Sequence, residues 1–253
     1  MILTKKRNFE AFIFVVPALL ILGTFVYFPL IKNIIYSFQS FTLSSTTREW
    51  VGLANYKQLF SDKIILACLK NNILYAVISI IVQVGFGLVL AAVLEDTVFQ
   101  KAAPFFRSVY FIPTVVSMTV VCLLFKFVYN PQMGLLNSFL QAVGLDNLTK
   151  IWLGSKKTAM YAVIAVSQWQ STGYVTMLFI VAIQKIPKDL YEAAEVDGAG
   201  KIKKFFYITV PQVKQMFFVT MILTVVGAFT VFNEPYILTG GGPGTATMVL
   251  SLH

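Results

Sequence analysis

The chain has 253 residues, of which 57% are hydrophobic and only 12% charged, and it carries a net charge of +9; its mean hydropathy is +0.76. A soluble domain carries roughly 25% charged residues, so this composition excludes an ordinary water-soluble enzyme and puts the chain in the membrane class. No basic stripe interleaved with exposed aromatics points to nucleic acid; lysines that flank spans and meet anionic membrane lipid account for the charge.

A bilayer core asks for roughly 20 apolar residues in a helix. The first such run covers about residues 9–31, behind Lys5, Lys6 and Arg7. It is too long for a cleavable leader core and no small-x-small site follows, so it reads as an uncleaved first span. Trp50, Leu53, Tyr56, Leu59 and Phe60 come next. They read either as an interfacial amphipathic helix or as loop residues folded against the bundle. The second span covers about 72–94 and the third about 106–128. Leu135, Leu136, Phe139, Leu140 and Val143 repeat at helical spacing, with Gly144 placed to end a helix, and the same two readings apply. The fourth span covers about 159–183 and the fifth about 216–232. Pro17, Pro29 and Pro113 fall in or beside spans, where neighbouring helices satisfy the freed carbonyls. Gly240 to Gly244 read as a flexible extracellular turn, and 247–252 as the start of another apolar helix, so a sixth span is expected beyond residue 253.

The expected fold is an all-α membrane protein, a multi-span helical bundle forming one transmembrane domain over 1–253. With the N-terminus in the cytoplasm, Lys101, Lys185, Lys188, Lys201, Lys203, Lys204 and Lys214 lie inside, and fewer basic residues lie outside. Cys68 and Cys122 have no metal-ligand partners at useful spacing and read as small packing residues. No metal site or catalytic constellation is indicated. A phosphate loop needs G-x-x-x-x-G-K-[ST]. Gly200-Lys201 fails it, because Glu195 replaces the first glycine and Ile202 the hydroxyl residue. Any nucleotide engine lies in another polypeptide.

Within the fourth span, Ser167, Gln168, Trp169, Gln170, Ser171, Thr172 and Tyr174 make a dense polar cluster, and Thr230, Asn233 and Glu234 make a second one where the fifth span ends. Amides, hydroxyls and an aromatic platform suit a sugar. The same residues also suit interhelical hydrogen bonding or an interfacial aromatic belt. Gln168, Trp169, Gln170, Thr172, Tyr174, Thr230, Asn233 and Glu234 are the candidate substrate path, with Gln83 a weaker candidate.

The cytoplasmic loop over 184–215 reads as a helix-turn-helix. Pro187 suits a first helical turn, and Gly198 and Gly200 suit its end. The residues alone leave two readings open, a docking surface for a partner and a solvated connection. Glu192-Ala193-Ala194, three residues, Gly198, nine residues, then Ile208-Thr209-Val210-Pro211 resembles the signature loop of the permease subunits of ABC importers, with Val210 where that family usually has Leu. Ile186-Pro187, Leu190-Tyr191, Asp197-Gly198-Ala199 and Phe205 are similar to its carbohydrate-uptake branch. So are Val51-Gly52-Leu53-Ala54-Asn55-Tyr56, Gly134-Leu135-Leu136-Asn137 and Thr239-Gly240-Gly241-Gly242-Pro243.

The resemblance implies a type I importer fold in a bacterial or archaeal plasma membrane. It implies a second homologous permease, two ATPase subunits that bind ATP and Mg, and an extracellular solute-binding protein. The cargo is then a sugar or oligosaccharide, moved inward by alternating access and contacted by this subunit or mainly by the other. It makes Glu192, Ala193, Ala194, Asp197, Gly198, Ala199, Ile208 and Pro211 the ATPase-docking residues. The rival is an ion-coupled secondary carrier for a small polar solute. Such carriers hold acidic groups or broken helices at membrane depth, whereas Glu234 reads as just beyond the fifth span.

Overall fold

The computed structural model describes residues 5–41, 48–99 and 101–253, so residues 1–4 of the basic leader lie outside the described residues. The chain forms two compact units, 1–63 and 64–253.

The first unit opens with α1 (Lys5–Leu22), a five-residue π-turn (Gly23–Tyr27) and α2 (Phe28–Tyr36). Pro29 lacks the N–H an α-turn would use, and the wider turn lets Phe28 N–H reach the Gly23 carbonyl instead. Phe12–Tyr36 is long and apolar enough to cross a membrane. Its apolar side chains point out all round, as suits a helix whose solvent is lipid. A short hairpin follows, β1 (Gln39–Ser40) antiparallel to β2 (Glu49–Trp50) with Gln39 opposite Trp50. The Asn55 side-chain amide donates to the carbonyls of Ser37 and Gln39 at 2.9 and 3.0 Å. That fastens α3 (Ala54–Ser61) to the hairpin, so a helix does occupy part of the amphipathic stretch around Tyr56.

In the second unit, α4 (Lys63–Ser79), a π-segment (Ile80–Phe86) and α5 (Gly87–Glu95) run on as one 33-residue helix that can cross a membrane. The third expected span, 106–128, is not one straight helix. It is α6 (Ala103–Val115) and α7 (Met118–Val128), bent by 99°. Pro113 and the extended backbone at Val116 and Ser117 make the break. After α8 (Leu135–Ala142), ended by left-handed Gly144, comes α9 (Ala159–Ile183). Its 25 residues rise about 37 Å, enough for a bilayer core, although its polar middle lowers its hydropathy.

Then come α10 (Lys188–Val196), α11 (Lys201–Lys204), a π-turn (Phe205–Thr209) and α12 (Val210–Gln212). The α11–α12 run meets α13 (Lys214–Thr230) at a bend of 72°. The fifth expected span, 216–232, ends early at Thr230, because Val231 is extended; α14 (Asn233–Thr239) restarts the helix. Among the described residues two helices are long and apolar enough to cross a membrane, or up to four if each bent pair counts as one span.

The long helix α9 is the core, with α5, α6, α7, α13 and α14 packed around it. Lipid is as apolar as a leucine, so close packing and interhelical hydrogen bonds hold such a bundle. A Cβ at Gly173 would sit 1.8 Å from the Tyr110 carbonyl oxygen, so only glycine allows α6 to cross there. The glycine-rich turn after α14 is hydrogen-bonded within itself. Thr239 and Thr247 hydroxyls meet at 2.6 Å, and Thr247 donates to the Gly242 carbonyl. Asn72 donates to the Ala228 carbonyl at 2.7 Å and accepts from Leu250 N–H at 2.9 Å. Residues 247–252 accordingly form turns where the sequence suggests a helix start.

Candidate functional site

Two features of the second unit bear on function, a cavity with polar groups in its wall and an exposed helix-turn-helix.

The cavity, of about 370 Å³, lies among α4, the π-segment after it, α7, α9, α13 and α14. Ser167, Ser171, Tyr174 and Leu178 line it as one stripe of α9. These positions, spaced by four, three and four residues, share a face because a helix turns 100° per residue. Tyr75, Ser79 and Gln83 face them, with Thr220, Thr224 and Thr230 from α13 and Asn233 and Glu234 from α14. Glu234 is buried, and the buried Tyr75 hydroxyl donates to its Oε1 at 3.1 Å.

Of the candidate path residues, Tyr174, Thr230, Asn233 and Glu234 line this cavity, as does the weaker candidate Gln83. Gln168, Trp169, Gln170 and Thr172 do not. Gln168 donates to the Ser79 hydroxyl at 2.9 Å and to the Ile164 carbonyl at 3.2 Å. Gln170 donates to the Val116 carbonyl at 2.7 Å, an acceptor set free by the α6–α7 break. Thr172 donates back to the Gln168 carbonyl. Trp169 is half exposed and packs its ring on Phe125. Tyr75, Ser79, Thr220 and Thr224 had no signal of their own: single polar residues in apolar helices join only once the helices meet.

The loop segment is built from local rules. Asp189 lies in the first turn of α10, where a carboxylate suits the helix dipole. At its end Ala199 N–H donates to the Ala194 carbonyl at 2.8 Å and Gly198 N–H to the Glu195 carbonyl at 3.0 Å. This is a Schellman closure, and it requires the left-handed φ of +72° that Gly198 adopts. Glu192, Ala193, Asp197 and Gly198 are exposed, with Ala194 and Ala199 half-buried. Pro211 is exposed in the first turn of α12. Ile208 behaves differently: with Tyr191, Phe205 and Val210 it packs against the core around Ile186 and Val213. The Tyr191 and Thr209 hydroxyls meet at 2.9 Å, closing the segment onto itself.

An ion pair ties the segment to the preceding loop: Lys201 Nζ lies 2.9 Å from the Asp96 carboxylate. Lys201 and the Val98 N–H hold that carboxyl below its ordinary value. Glu95 next to it takes an ion pair from Arg107 and a hydrogen bond from Gln184 at 3.3 Å. Val196, Ile202, Phe206 and Tyr207 stand 60–88% exposed around the segment. Within a run of lysines they carry no recognisable spacing.

Residues 65–252 match the family described as binding-protein-dependent transport system inner membrane component. The probable ABC transporter permease protein YurN of Bacillus subtilis is 60% identical over 249 residues, 98% of this chain and 85% of YurN. The sulfoquinovosyl glycerol transport system permease protein SmoG of Agrobacterium fabrum is 32% identical, covering 96% of this chain and 78% of SmoG. The trehalose/maltose transport system permease protein MalF of Thermococcus litoralis is 30% identical, covering 99% and 85%. A bacterial alginate ABC transporter, solved with its alginate-bound periplasmic protein, superposes with a TM-score of 0.80 at 21% identity, covering 96% of this chain and 80% of that one. It shares the fold.

Proposed function

The chain belongs to the family of binding-protein-dependent transport system inner membrane components, and from that premise we propose that it moves a sugar or oligosaccharide inward as one permease subunit of an ABC importer. It is a transport component and not an enzyme. The relatives LacF and MalF, named for lactose and for trehalose/maltose, support a sugar here.

One observation carries the mechanism: a single compact unit joins the cavity to the exposed segment through two continuous helices. The helix α9 lines the cavity from Ser167 to Leu178 and ends five residues before α10. The helix α13 starts two residues after α12 and lines the cavity from Thr220 onward. A push on α10–α12 is therefore a push on both walls. We assign Glu192, Ala193, Ala194, Asp197, Gly198, Ala199 and Pro211 to contact with an ATPase subunit. Ile208 anchors the segment from behind. In this reading 184–215 is the cytoplasmic coupling element, and five spans run from a cytoplasmic N-terminus in a bacterial or archaeal plasma membrane. ATP and Mg are bound by two ATPase subunits, and a second permease completes the path. Closure of the ATPases turns the cavity outward to receive sugar from the solute-binding protein, and hydrolysis returns it inward.

Reconstitution of the chain with its second permease, ATPase and binding protein tests this. Sugar uptake that requires ATP, and that a proton or sodium gradient alone does not drive, is the expected result. Uptake by this chain alone on an ion gradient would replace the importer with a secondary carrier.

A further inference from the structure

The cavity wall has one feature that a generic sugar site does not require. Among its lining residues the polar groups are hydroxyls and amides, with one exception, the Glu234 carboxylate. No lysine or arginine lines it, although the chain carries 20 of them. Lys126, at the end of α7, is exposed and outside the cavity. Glu234 is 6% exposed, and Tyr75, itself 3% exposed, holds one of its oxygens. In its ionised form a carboxyl fixed in this way acts strongly on any charge brought beside it.

We propose that Glu234 is a charge filter: the cavity admits neutral and basic solutes and turns away acidic ones bearing a carboxylate, sulfonate or phosphate. A sugar hydroxyl donating to Glu234 makes a charge-assisted hydrogen bond. An acidic sugar meets repulsion, and no lysine or arginine of this chain lines the cavity to offset it. For a sugar cargo the inference rests on the importer reading above, and it narrows the class to uncharged or amino sugars.

The test reads the field in the cavity directly and needs neither the cargo nor the binding protein's choice. In the assembled complex, Ser171→Cys places a thiol on the cavity wall, and Gly227→Cys provides a second position, where a Cβ meets nothing within 4 Å. Rates of modification by cationic, anionic and neutral methanethiosulfonates are compared with those of a free thiol, with the complex lacking the added cysteine as background. The cationic reagent should gain roughly tenfold over the anionic one, and adding Glu234→Gln should remove that gain. Equal rates, an anionic preference, or a preference that survives Glu234→Gln overturns the proposal. So does failure of both thiols to react with the neutral reagent, since the cavity would then lie off the path. Uptake of an uncharged oligosaccharide by the same complex checks the importer reading separately. Its absence beside an intact cationic preference would remove the sugar and leave the filter standing.

Discussion

The polar stretch over 167–174 in α9 and the one over 192–200, from the second half of α10 to the start of α11, both interrupt apolar sequence, yet the fold uses them in opposite ways. Inside the bundle, helical geometry sends neighbours to different places. Ser167, Ser171 and Tyr174 face the cavity, Gln168 goes to Ser79, and Gln170 goes to the Val116 carbonyl. On the exposed segment a turn keeps sequence neighbours together, and Glu192, Ala193, Asp197 and Gly198 all remain exposed. A buried amide is taken first by backbone groups that bends have freed, because leaving such a group unpaired in lipid costs several kcal/mol. An exposed residue has no such duty and is available to a partner.

The sharpest way to break this comparison is at Gly198. Gly198→Glu forces a side chain into a left-handed conformation that costs roughly 1–2 kcal/mol and puts bulk and charge on the docking face. ATP-driven uptake should fall by more than about tenfold, with the chain still inserted and with less ATPase co-purified. Full uptake and normal co-purification would return the segment to a plain connection. Next in size is a contrast between two residues that the sequence treats as equals. Asn233→Ala should lower uptake several-fold while leaving the thermal midpoint in detergent unchanged. Gln168→Ala should lower that midpoint, through the loss of a buried bond of about 1–3 kcal/mol, with less effect on uptake per folded complex. The reverse pattern would exchange their roles.

The smallest effect is expected at Asp96–Lys201. A largely exposed pair contributes about 0.2–1 kcal/mol, which a double-mutant cycle on thermal stability would read. Asp96 is held below its ordinary value, so its contribution is complete above about pH 3.8. It is lost as the pH falls through the lower value of the folded state. Limited proteolysis across 197–204 should therefore accelerate in strong acid and not between pH 5 and 7. Acceleration in that higher window would assign the tether to other groups.

Legibility in the sequence follows the same division. Greasy runs and the 188–212 segment were readable because length, glycine placement and capping act over a few residues. The α6–α7 break was only hinted at by Pro113, since its angle depends on Val116 and Ser117 becoming extended and on Gln170 donating to the freed Val116 carbonyl. The cavity was half readable. Tyr174, Thr230, Asn233 and Glu234 stood in visible clusters, whereas Tyr75, Ser79, Thr220 and Thr224 are isolated polar residues that only tertiary packing assembles. Ile208 belongs to the recurring loop pattern yet packs inward, so a motif position need not be a contact.

The most direct test of the central claim is a cross-link. Ala193 is exposed on the segment and Lys157 is exposed on the connection before α9. With cysteine at one position or the other in the assembled complex, a short bifunctional reagent should join Ala193→Cys to the ATPase subunit, with a yield that changes on adding ATP. It should leave Lys157→Cys unjoined to that subunit. A cross-link from Lys157→Cys and none from Ala193→Cys would contradict the account.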